Sequence, residues 1–276
     1  MSCNHNCDTC GEKCSAPQTD QPHELSRIKR VIAVVSGKGG VGKSSVTSLL
    51  ASAMNKKGYK SAVLDADITG ASIPKMFGVN GALEGSETGI FPATSKAGVK
   101  IVSSNLLLEN ETDPIVWRGP IIANMVKQFW TDVIWGDVDY MFIDCPPGTG
   151  DVPLTVFQSI KVDGIIIVTT PQELVSMIVE KAVNMANMMK IPLLGIVENM
   201  SYVLCPHCNE RIDVFGNGDA VGAVAKKFGL PLLAEIPYDA KLVAAADGGK
   251  ADTVECEYIV PAADIIESGL PVSDGH

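Results

Sequence analysis

The chain is predicted to be an α/β protein, a mostly parallel sheet flanked by helices on both faces. Apolar, β-branched runs recur along it, separated by helix-compatible stretches, which is the pattern of a buried parallel sheet. Its 276 residues are enough for one large domain with a full core. A glycine-rich loop sits between the first strand run and the first helix run, at the sheet edge where α/β proteins hold ligands.

Residues 1–24 are polar and carry Cys3, Cys7, Cys10 and Cys14; they are expected to form a flexible tail, ordered only if a metal ties it down. Residues 25–276 form the folded domain. Strands are expected over 31–35, 61–65, 99–103, 139–144, 164–170, 193–198 and 232–236. Helices are expected near 44–57, 121–134, 173–190 and 217–228. Residues 78–98, rich in Gly, Ser and Thr, read as an insertion or mobile loop. Residues 201–216 interrupt the alternation around Cys205-Pro206-His207-Cys208.

Composition excludes several function classes. A net charge of −10 argues against general binding to nucleic acid or an anionic membrane surface. No apolar run reaches the roughly 18 residues of a spanning helix. The start, Met1-Ser2-Cys3-Asn4-His5, is not a secretory signal, so a cytoplasmic protein is expected. In a reducing compartment, the grouped cysteines among the eight read as metal or cluster ligands before disulfides.

The loop Gly37-Lys38-Gly39-Gly40-Val41-Gly42-Lys43-Ser44 fits the phosphate-binding pattern G-x-x-x-x-G-K-[ST] in the right context, strand before and helix after. Its glycines let backbone N–H groups turn toward phosphate oxygens, and the helix N-terminus adds partial positive charge. Lys43 is expected on the β- and γ-phosphates and Ser44 on Mg²⁺, with Ser45 beside them. Asp65 and Asp67, two apart at a strand end, point the same way toward the nucleotide edge and could order Mg²⁺ or the attacking water. The strand ending at Asp144 has the form of a Walker B carboxylate, binding Mg²⁺ through water. The following Cys145-Pro146-Pro147-Gly148-Thr149-Gly150-Asp151 suits a two-position switch whose Gly148 N–H can meet the γ-phosphate. Asn199 ends another strand, where its amide could pair with an adenine edge or simply make a turn.

Lys38, directly after the first glycine, resembles the deviant Walker A motif of the MinD/ParA/nitrogenase-iron-protein class. Together with Asp65-Ala66-Asp67-Ile68-Thr69-Gly70, the Asp144–Asp151 segment, Val197-Glu198-Asn199-Met200-Ser201 and Cys205-Pro206-His207-Cys208, it resembles the Mrp/ApbC-type iron–sulfur carrier ATPases of that class. The resemblance runs from about 31 to 247. It implies a P-loop fold, slow switch-like hydrolysis of ATP to ADP and phosphate, and a homodimer. Within that dimer Lys38 would reach the partner's nucleotide and Asp67 would position water. It implies that Cys205 and Cys208 pair with the same two thiols of a second copy around a bridging [4Fe–4S] cluster. It also implies delivery to apo iron–sulfur clients, with other assembly factors possible partners.

Thiolates suit iron–sulfur clusters and zinc alike, and one C-x-x-C supplies only two ligands. A twofold axis supplies the rest; a zinc knuckle completed within the chain, by His207 for example, is the rival. A redox C-x-x-C would be expected to open a helix. The tail set Cys3-x3-Cys7-x2-Cys10-x3-Cys14 could hold one cluster or one zinc, with His5 as a further candidate. Its C-x3-C-x2-C start looks like radical-SAM spacing but lies outside a barrel loop. Cys145 and Cys256 read as packed residues. Trp117-Arg118-Gly119-Pro120 resembles a family segment without an assigned role, and the Met-rich run 177–189 reads as core. The alternatives are a ParA- or MinD-like partitioning or positioning ATPase and a zinc-stabilised regulatory ATPase. The acidic end Asp264-Ile265-Ile266-Glu267 lacks the basic amphipathic helix MinD would use on a membrane.

Overall fold

The computed structural model describes residues 19–68, 70–107, 119–148, 150–172, 175–214 and 220–272. In chain order the elements are β1 (Arg27–Ser36), α1 (Lys43–Lys56), β2 (Ser61–Asp65), α2 (Ile73–Phe77), β3 (Ala93–Thr94), β4 (Lys100–Val102), α3 (Gly119–Thr131), β5 (Asp137–Asp144), α4 (Asp151–Ser159), β6 (Gly164–Thr169), α5 (Val175–Met189), β7 (Leu193–Asn199), β8 (Val203–Leu204), β9 (Arg211–Ile212), α6 (Ala220–Phe228), β10 (Leu232–Ile236), α7 (Ala240–Asp247) and α8 (Val260–Gly269). Among the described residues the main sheet has the order β10-β7-β6-β1-β5-β2-β4-β3, parallel except for the β3–β4 pair.

The sheet is covered on both faces because its strands are apolar on both. In β1, Val31, Ala33 and Val35 join the core under α3–α6, while Ile32 and Val34 join the core under α1, α2 and α8. Each fully buried Val or Ile contributes about 1.5–3 kcal/mol, which is why a central parallel strand reads as a continuous apolar run. No described helix is long and apolar enough to cross a membrane.

Two expectations are corrected. Residues 78–98 are not a free insertion: β3 closes the sheet edge, and Leu83, Ile90 and Phe91 donate backbone hydrogen bonds to Leu106, Asp132 and Glu84. The last residues of the expected tail are also held to the body. Asp20 N–H donates to the Ser159 carbonyl at 2.7 Å, and its own carbonyl accepts from Trp130 Nε1 at 2.9 Å. Its carboxylate meets Lys127 at 3.1 Å, and His23 Nε2 bonds the Thr88 carbonyl. Cys3, Cys7, Cys10 and Cys14 lie outside the described residues, as do Trp117, Arg118, Thr69 and Thr149.

Candidate functional site

The strand ends gather the predicted site at one edge of the sheet. The chain leaves β1 into the glycine loop, and Gly40 and Gly42 take φ of +79° and +75°, a region that favours glycine. Two glycines are also fixed by close approach. A Cβ on Gly37 would stand 2.1 Å from Ile178 Cγ2 of α5, and one on Gly42 would stand 2.2 Å from Asn199 Nδ2. Helix α1 starts at Lys43 with no side-chain cap, so its first N–H groups remain available to an anion. The loop, with Ser45, Asp67, Gly70 and Pro147, lines an open cleft of about 270 Å³.

Beneath the loop lies a dense charge network. The parallel register sets Asp65 of β2 opposite Asp144 of β5. Lys43 Nζ, 5% exposed, is 2.7 Å from Asp144 Oδ1 and 3.6 Å from Asp67 Oδ2. Ser44 Oγ donates to Asp144 Oδ2 at 2.6 Å, and Thr47 Oγ1 lies 2.8 Å from Asp144 Oδ1. Burial works to lower the Lys43 pKa, but Asp144, then Asp67 and Asp65, outweigh it, and the ammonium is held above its ordinary value. Asp65 is fully buried; burial first, then Asp144, pushes its carboxyl up to about 8. Its oxygens accept from Ser103 Oγ at 3.0 Å and from the Asp67 N–H at 3.1 Å. Burial, ahead of its neighbours, also raises Asp67. These hydroxyl and carboxylate oxygens are hard donors and fit a magnesium ion.

Three predicted residues take partners that the sequence reading did not assign. Lys38 Nζ donates to Gln172 Oε1 of its own chain. The Gly148 N–H, expected to face phosphate, donates to the Ser36 carbonyl at 2.7 Å. Asn199, read as a base-edge or turn residue, is buried and donates from Nδ2 to the Val41 carbonyl at 2.9 Å, bracing the loop from below. Thr47, Ser103 and Gln172 escaped sequence reading. Thr47 was findable, one helical turn beyond Ser44 on the face toward Asp144.

A small apolar cavity of about 60 Å³ adjoins the phosphate cleft and shares Ser45 and Met76 with it. Met200, Pro237, Tyr238 and Leu242 line it. Its signal in the sequence was Pro237-Tyr238-Asp239 at the end of an apolar strand, the same edge as the glycine loop.

Cys205 and Cys208 stand on a hairpin that leaves the same edge after β7, its arms β8 and β9 pairing Val203 with Ile212 and Leu204 with Arg211. The turn is closed by Cys205 N–H to the Glu210 carbonyl and Asn209 N–H to the Cys205 carbonyl, both 2.9 Å, with Asn209 at φ +58°. Backbone N–H groups of His207 and then Cys208 hold the Cys205 thiol below its ordinary pKa, which favours the thiolate. Cys208 is exposed. Among the described residues no group of three or more His, Cys, Asp or Glu stands close enough together to hold a metal ion. Burial pushes the Cys145 thiol up to about 12 and raises that of Cys256, in keeping with packed residues.

Comparison with known proteins agrees with this arrangement. A family model described as ParA, NUBPL iron-transfer P-loop NTPase, matches residues 27–268. An iron–sulfur cluster carrier protein of Methanocaldococcus jannaschii is 47% identical, over 90% of this chain and 89% of the relative. Another, from Clostridium perfringens, is 42% identical over 96% and 99%. Among solved structures, a nucleotide-binding protein of Archaeoglobus fulgidus in complex with ADP is 42% identical. It superposes with a TM-score of 0.77 over 90% of this chain and 95% of its own.

Proposed function

The chain belongs to the ParA-type NUBPL iron-transfer P-loop NTPases, and from that premise we propose that it captures [4Fe–4S] clusters between two copies of itself and delivers them to apoproteins under the control of ATP. The observation that carries this reading is the cysteine hairpin. It places Cys208, exposed, and Cys205, partly exposed, on the same sheet edge as the phosphate loop, and a four-thiolate cluster needs two more. A twofold axis provides them. Exposed thiols of this kind suit the reducing cytoplasm.

The nucleotide half follows from the residues. ATP phosphates enter the loop of Gly37, Gly39, Gly40, Val41 and Gly42, and Lys43 exchanges its carboxylates for phosphate oxygens. That exchange frees Asp144, which with Ser44 would hold Mg²⁺; the ion would neutralise charge on the phosphates. Asp67 orients the attacking water, and Lys38 leaves Gln172 for the partner's nucleotide. The base would lie against the apolar surface of Tyr238 and Met200, at the mouth of the small cavity there. Asn199 holds the loop in register with both. Turnover is slow because hydrolysis serves as a switch between dimer geometries. Cys3, Cys7, Cys10 and Cys14 would hold a second cluster or a zinc ion.

Anaerobic reconstitution with iron and sulfide tests the proposal. Wild type is expected to bind one [4Fe–4S] cluster per dimer through this hairpin. Cys205→Ala/Cys208→Ala should lose that cluster and the dimer it bridges, by Mössbauer spectra and sedimentation. Equal cluster content and equal dimerisation in the double variant would falsify the bridging site.

A further inference from the structure

A hairpin with arms as short as β8 and β9 has little stability of its own, so something must set the direction of its thiols. Its side-chain anchor is Arg211. The guanidinium lies 4.2 Å from the centre of the Tyr202 ring, Nη2 is 2.6 Å from Glu235 Oε1 of β10, and Nε is 2.7 Å from Asp213. Arg211 pairs across the hairpin with Leu204, next to Cys205 in the chain. Glu235 precedes Ile236, whose carbonyl accepts from both the N–H and the Oγ of Ser201. Tyr238 N–H donates to the Tyr202 carbonyl at 2.8 Å. The same short stretch of β10 and its exit thus grips the hairpin root and walls the apolar cavity through Ile236, Pro237 and Tyr238.

We propose that Arg211 is a positioning residue that clamps the cysteine hairpin to β10, so that Cys205 and Cys208 move with the wall of the nucleotide cavity. The guanidinium suits such a clamp, because it lies over the Tyr202 ring and still holds its charge against the Glu235 carboxylate. Through this clamp, filling the cavity changes how the thiols are presented, and by linkage a ligand on the thiols changes nucleotide affinity by the same factor. The inference rests on the proposed control of the cysteine pair by ATP.

The test is the alkylation rate of Cys205 and Cys208 in the full, reduced chain, followed by mass spectrometry of the hairpin peptide. Rates are compared without nucleotide, with Mg-ADP and with a non-hydrolysable Mg-ATP analogue. Wild-type rates are expected to differ between states by about fivefold or more, the lower range of coupling between sites. Arg211→Ala should erase that difference while leaving ADP affinity intact. Glu235→Ala, which leaves the hairpin sequence untouched, should do the same, and the swap Arg211→Glu/Glu235→Arg should restore part of it. A full nucleotide response in both single variants would overturn the clamp alone. No response in wild type would overturn the clamp and the coupling it rests on.

Discussion

Lys43 is the residue on which the nucleotide site turns. In the structure it neutralises Asp144 and Asp67 in a space where phosphate oxygens would otherwise compete for it. Asp65, behind them, cannot share that cation fully and keeps its proton to about pH 8. The sign of the consequence follows from linkage. Between about pH 4 and that value, the folded chain holds a proton that the unfolded chain releases, so this group's contribution to stability falls as pH rises. Asp65→Asn is nearly isosteric, can still accept from the Asp67 N–H and leaves Ser103 a partner. In metal- and nucleotide-free protein the variant is expected to match wild type near about pH 4 and to exceed it by about 1 kcal/mol or more near about pH 8. Urea melts at the two values check it; an equal decline in both proteins would show that Asp65 ionises freely.

Among the elements, the glycine loop and the helix behind it were legible in the sequence because motif, strand and helix occur in the one order that works. The strands were found for a similar reason: a parallel strand buried on both faces leaves a continuous apolar run, and β2, β6, β7 and β10 fall within a residue of expectation. The short helices were not found. α2 and α8 carry proline near their starts, which reads as a break although proline is well accommodated in a first turn. α7 had a usable signal, Asp239 accepting from the Lys241 N–H at 2.7 Å as an N-cap, but no face of it is buried to give a period. The role of Asn199 was not readable because it depends on β7 ending beneath the loop, a tertiary fact. That same fact makes a prediction. Gly42→Ala must hold φ +75° and drive a methyl into the Asn199 amide. The strain costs about 1–3 kcal/mol before the clash is counted. ADP titration and thermal melts should show lost binding and a lower melting temperature. Adding Asn199→Ala should recover part of the stability, but not the binding, since the loop then loses its brace. Unchanged ADP affinity in Gly42→Ala would remove the argument for a rigid cradle.

For the whole molecule, the proposed function requires an acidic chain to meet its own copy. With a formal charge of −10 on each, two copies repel at long range, and bound nucleotide adds further negative charge to the loop edge. A cation on that edge that can reach across the interface is therefore worth more than its charge on an isolated surface. Lys38 is half-buried at the mouth of the cleft and held by Gln172, a neutral side chain that can release it without leaving a carboxylate unpaired. A carboxylate partner, such as the one that holds Lys43, would compete for it more strongly. If Lys38 acts on the partner's phosphates as a cation supplied in trans, Lys38→Ala should lower ATP turnover by about 10³-fold. ADP affinity of the single copy should stay within about threefold, because the loop, Lys43 and Ser44 are unaltered. ATP-dependent dimerisation, followed by sedimentation, should weaken in the variant, and added salt should recover part of it by screening the repulsion between the acidic surfaces. Full turnover in Lys38→Ala would mean that each copy hydrolyses its nucleotide alone, and the cross-subunit role of the lysine would have to be abandoned.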